Sequence, residues 1–138
     1  SSDVCSSDLE NNFWYYAYHC LFYLDYYLTL DPKQFSPPSG YSLSELAISG
    51  GMPDRVYSKE ELLSYLRHSR KKCHDLIASM TDEIANSQWK NEYRSYSVIE
   101  LLLYNMRHVQ HHTAQLNLLL RQGIGNAPRW VSQTKENL

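Results

Sequence analysis

The chain has 138 residues with 13 basic against 15 acidic side chains, which is room for one domain and one core and leaves no electrostatic footprint for nucleic acid. Three cysteines make no disulfide framework and fit a reducing, cytoplasmic setting. The longest apolar run, Phe13 to Leu24, is broken by His19 and followed by Asp25, well short of the ~20 residues a bilayer requires.

The first nine residues, SSDVCSSDL, back-translate as AGT TCA GAC GTG TGC TCT TCC GAT CTN, a string that looks like a common short-read sequencing adapter across every codon. A natural Ser/Asp-rich tail is the plainer alternative. We expect Ser1 to Leu9 to be a non-native scar that packs against nothing specific, with Glu10 the first native residue and the true N-terminus missing. Removing it takes away Asp3, Asp8 and Cys5 and leaves 129 residues, 13 acidic against 13 basic. The remaining Cys20 and Cys73 read as small apolar residues.

Three helices follow, and no strand pattern competes with them. The first spans about Glu10 to Leu30. It is aromatic or aliphatic nearly all round, as suits a helix packed on several sides, and Asp31-Pro32 should end it, because proline disfavours helix in the residue before it. Residues 31–57 form a long connection rich in proline and glycine, with a short helix expected around Leu43 to Ile48. Connections of that length are uncommon unless they are functional or cross a bundle.

The second helix starts at Ser58, which forms a capping box with Glu61. Leu62, Leu66, Cys73, Leu76, Ile77, Met80 and Ile84 then recur on one face, with fraying near Asn86 and Ser87. The third helix starts at Ser97, boxed by Glu100, and runs to Gln122, where Gly123 can terminate it in the left-handed conformation. Residues 131–138 are a polar tail. The organisation expected is thus a non-native segment over 1–9, a helical bundle over 10–130 and the tail. A long crossover between helices suggests a four-helix bundle lacking its first helix; a three-helix bundle is the alternative.

Six histidines are present, and three cluster in Asn105-Met106-Arg107-His108-Val109-Gln110-His111-His112. With Leu101 at 0° and about 100° per residue, His108 falls near −20° and His112 near +20°, while His111 falls near 280° with Glu100, Tyr104 and Arg107. His108 and His112 therefore point inward together, and two imidazoles four residues apart can share one metal ion. His19 sits amid Tyr15, Phe22, Tyr23 and Tyr26 on the most apolar helix, where a polar ring needs a partner. Spacing alone leaves open a solvated pair on the last helix and a hydrogen-bonded core histidine on the first. His68 and His74, around Arg70, Lys71 and Lys72, read as a solvated face.

Leu101 to Gln122, LLLYNMRHVQHHTAQLNLLLRQ, resembles the last helix of the DinB superfamily, which carries a His-x-x-x-His pair followed by a Gln-leucine run. Tyr16-Ala17-Tyr18-His19 resembles that family's other ligand-bearing helix. The resemblance spans most of residues 10–130 and is specific around His19 and from Asn105 to Leu120. It implies an all-α four-helix-bundle fold, a divalent metal held by His19, His108 and His112, and relatives that act as thiol-dependent transferases or isomerases.

Three neutral imidazoles leave a tetrahedral ion one open position, as in catalytic rather than structural zinc. Zinc, nickel and iron(II) all suit imidazole. The expected function is a metal-dependent transferase or hydrolase that activates a thiol or water, with a small thiol as one candidate substrate. The alternative is a non-catalytic, metal-stabilised bundle used for binding or homodimerisation. An ordered acid or base beside the open position would favour the enzyme, and a fourth protein ligand would favour the alternative. Asn105 and Gln115 lie near the right face to orient the histidines.

Overall fold

The computed structural model describes residues 6–48 and 51–133, with nothing said of the side chains of 6–12. The expected lack of packing by Ser1 to Leu9 lies outside the described side chains. Among the described residues there are three long helices and one short one. They are α1 (Ser6–Tyr27), α2 (Lys59–Ala78), α3 (Asp82–Asn86) and α4 (Val98–Ile124), and the all-α architecture is the one expected. A two-stranded antiparallel hairpin, β1 (Gln88–Lys90) and β2 (Ser95–Ser97), precedes α4.

The aromatic sequence of α1 makes it the central element. Both α2 and α4 pack on it and scarcely touch each other. Tyr18 and Phe22 are fully buried beside Tyr57 and Tyr65, while Tyr26 and Tyr27 pack against Trp89 and Leu101. The α1 helix stops at Tyr27, before the expected Leu30. The Leu28 and Thr29 amides bond the carbonyls three residues back, a tightened last turn, and Pro32 then opens a short 3-10 turn capped by Asp31.

The second predicted helix is two. It breaks at Ser79-Met80, and Thr81 caps α3 by accepting the Ile84 amide at 3.2 Å. Serine and threonine hydroxyls compete for backbone groups and favour such starts over continuation. Of the stripe expected on α2, Leu76 is buried but Leu66 and Ile77 are exposed, and Tyr65 and Ser69 are buried in addition. Tilted ring contacts of Tyr65 with Tyr18 and Tyr41 and its hydrogen bond to the buried Asp25 turn the helix away from its aliphatic stripe.

The hairpin is a second departure. Trp89 is fully buried and its indole N–H donates to the Thr29 carbonyl at 2.9 Å. Asn91 closes the turn by accepting the amides of Tyr93 and Arg94. Three-residue strands are below the length at which alternation is readable. At its far end α4 runs past Gly123 to Ile124, and Gly125, at φ 67°, supplies the left-handed cap with its amide on the Arg121 carbonyl.

Candidate metal centre

The inward phase of α4 places His108 and His112 against α1 at His19. Ring centroids are 4.6 Å apart for His108 and His112, 4.7 Å for His19 and His112, and 5.9 Å for His19 and His108. One ligand nitrogen from each ring lies within 4.8 Å of the others. His111 is exposed, as its phase requires, and lines an open cavity of about 600 Å³ along α4 with Tyr104, Arg107, Gln110 and His108 itself.

Each ring has a different neighbour. His19 Nδ1 lies 2.8 Å from Glu45 Oε2, and the Glu45 side chain is only 5% exposed. His112 Nδ1 lies 2.7 Å from Gln115 Oε1. Both nitrogens of His108 are buried and make no hydrogen bond. A buried polar atom without a partner is costly, and among the described residues none meets this ring's nitrogens. Three imidazoles converging with lone pairs to spare fit a divalent ion. Among the described residues no cysteine or carboxylate joins the group as a fourth donor.

Glu45 was invisible to sequence reading. It sits on a 3-10 turn, Ser44–Leu46, within the long connection, at the place where a short helix was expected. Tyrosines hold that turn onto α1. Tyr18 donates to the Ser42 carbonyl, Tyr23 donates to the Glu45 carbonyl at 3.0 Å, and Tyr57 accepts the Ser42 amide at 2.8 Å. The aromatic richness around His19 thus does two jobs, filling the core and clamping the crossover. Asn105, by contrast, donates to the Leu24 carbonyl at 3.1 Å and touches no histidine nitrogen, so of the two orienting candidates only Gln115 takes that position.

The expected solvated face around Arg70 is only partly so. His74 is exposed beside Asp75, but Lys72 reaches inward to the fully buried Asp25, and His68 Nε2 lies 3.5 Å from the same carboxylate. Long lysine stems commonly cover apolar surface this way.

Burial, reinforced by neighbouring imidazoles, depresses the His108 pKa from 6.5 to about 4, and burial also lowers that of His112. For a histidine depressed on folding, the unfolded chain takes up the proton first as pH falls. The stabilisation is therefore fully present above about pH 6.5 and is lost between there and about pH 4. In metal-free protein we expect the thermal midpoint to fall through this window, and a His108→Gln variant to show a flatter dependence. Parallel melting curves of the two between pH 4 and 8 check it, and identical slopes would refute it.

A family model described as the DinB superfamily matches residues 5–116. No curated protein and no solved structure matches the chain.

Proposed function

The chain belongs to the DinB superfamily, and from that premise we propose that His19, His108 and His112 hold a divalent ion whose open position activates a thiol or water for transfer or hydrolysis. The observation that carries the reading is His108, whose two buried nitrogens have no hydrogen-bond partner among the described residues. When bound, such an ion lowers the pKa of a coordinated water or thiol and supplies a nucleophile near neutral pH.

The chain's own residues do the rest. His108 stays neutral at physiological pH because burial disfavours its charged form, which keeps a lone pair available. Glu45 and Gln115 engage the Nδ1 atoms of His19 and His112 and leave Nε2 of each ring as the ligand atom. Tyr23 and Tyr27 pack their rings against His108, which also lines the open cavity along α4. Among the described residues the group has three donors. Zinc, nickel and iron(II) are all compatible with imidazole. Among the described residues no helix is long and apolar enough to cross a membrane.

Cobalt(II) substitution of the full chain tests the reading. One equivalent should give the visible bands of a four-coordinate site, and 2-mercaptoethanol should then add a thiolate-to-metal charge-transfer band. A cobalt spectrum indifferent to thiol and to pH would place a fourth protein ligand on the ion and leave a metal-stabilised bundle.

A further inference from the structure

Among the described residues Glu45 is the carboxylate that contacts the histidine group, and the fold goes to some length to put it there. We propose that Glu45 is a positioning residue: it accepts the Nδ1–H of His19, fixes that ring in the tautomer whose Nε2 is free, and thereby raises the chain's affinity for a divalent ion. The proposal rests on the metal reading above and adds a residue to it.

The contact is short, at 2.8 Å, with the Glu45 side chain 5% exposed and that of His19 28% exposed. A carboxylate beside an imidazole at this distance makes a charge-assisted hydrogen bond, about twice as strong as a neutral one. An ionised carboxylate only accepts, so the proton between them sits on Nδ1. The neutral ring then has its lone pair on Nε2. Metal-bound histidines commonly donate their other N–H to a carboxylate or carbonyl, which sets ring orientation and basicity.

The position of Glu45 does not depend on His19. Its own carbonyl is held by the Tyr23 hydroxyl, and three residues earlier Ser42 is held on both sides, its carbonyl by Tyr18 and its amide by Tyr57. Ser42 Oγ in turn accepts the Ser44 amide at 3.0 Å. A carboxylate placed by backbone anchors at this burial is expensive without a purpose, and besides His19 the Tyr15 hydroxyl interacts with it, burial and the Glu45 charge together raising the Tyr15 pKa. Glu45 is not itself a ligand, since it does not join the group of mutually close donor atoms. Its effect on an ion passes through His19. His112 has a weaker, local counterpart in Gln115, three residues on along α4, and His108 has none. Pre-setting the group therefore falls mainly on the Glu45–His19 pair.

The test uses the full chain in two measurements. Long-range proton–nitrogen correlation spectra of the metal-free protein at pH 8 report the His19 tautomer, and competition with a chromophoric chelator reports zinc affinity. Wild type should show His19 as a single Nδ1-protonated tautomer. Glu45→Ala should give a tautomer mixture and bind zinc about 10–100-fold more weakly. Glu45→Gln keeps an acceptor oxygen, so it should retain the tautomer and recover most of the affinity. Zinc affinity unchanged in Glu45→Ala while His19→Ala abolishes binding would overturn the proposal and spare the metal reading. So would Glu45→Gln binding as weakly as Glu45→Ala, which would leave charge rather than positioning as the cause. A wild type that holds the tautomer but takes up no zinc overturns the metal reading itself, and the role assigned to Glu45 with it.

Discussion

His108→Ala or His112→Ala will strip most of the bound metal from the chain, His19→Ala will do the same, and His111→Ala will leave metal content near wild type. The four residues form a controlled comparison because three of them lie within one helical turn. His111 and His112 are adjacent in sequence with ring centroids 5.1 Å apart, so a merely histidine-rich patch would lose metal to either change. The donor atoms that converge are nonetheless those of His19, His108 and His112, and about 100° of rotation separates His111 from its neighbour. Losing one of three ligands leaves two, too few to hold a tetrahedral ion against water. Elemental analysis of each variant after dialysis against a weak chelator reads the result. Equal depletion in His111→Ala and His112→Ala would mean that the helical phase assigned to α4 is wrong and that His111 takes part in the site.

How much of this was legible beforehand follows from the range over which each signal acts. The relative orientation of His108, His111 and His112 depends only on helix rotation, which varies little, so four residues suffice to read it. His19 was legible as a polar ring in an apolar helix, a local contradiction that calls for a partner. Glu45 was not legible, because a loop has no period. Its place against α1 is fixed by hydroxyls from Tyr18, Tyr23 and Tyr57, residues that sequence alone cannot tell from ordinary packing. The ends of elements were hard for a related reason. Gly123 and Gly125 are both competent caps, and the choice between them turns on φ at a single residue. The phase of α2 misled because its aliphatic stripe is regular, while Tyr65 and, in part, Lys72 turn inward to meet Asp25 on another helix.

That buried carboxylate gives the largest stability effect we expect away from the histidines. Asp25 is fully buried in α1, and three side chains on α2 address it. Lys72 Nζ reaches its Oδ1 at 2.5 Å, Tyr65 donates to Oδ2 at 3.1 Å, and His68 stands 3.5 Å away. Lys72 also bonds Thr29 Oγ1 at 2.6 Å and the Asp25 carbonyl at 3.0 Å, which ties the α1 terminus to the middle of α2. Replacing Lys72 by methionine keeps the stem and removes the charge, so the packing loss is small and Asp25 is left without its cation. Breaking a buried pair costs about 3–5 kcal/mol. Lys72 keeps 29% exposure and Tyr65 and His68 remain, so the lower part of that range applies, about 3 kcal/mol. For a chain of this size the thermal midpoint should drop by on the order of 10 °C. The partner background separates charge from packing. In an Asp25→Asn protein there is no buried anion to strand, and Lys72→Met should then cost about 1 kcal/mol or less, giving a coupling energy of about 2 kcal/mol. Denaturant titration of wild type, both single variants and the double variant measures that coupling. A cost for Lys72→Met that is the same in both backgrounds would show that Lys72 packs rather than pairs, and α2 would then be held by its aromatic contacts with α1 alone.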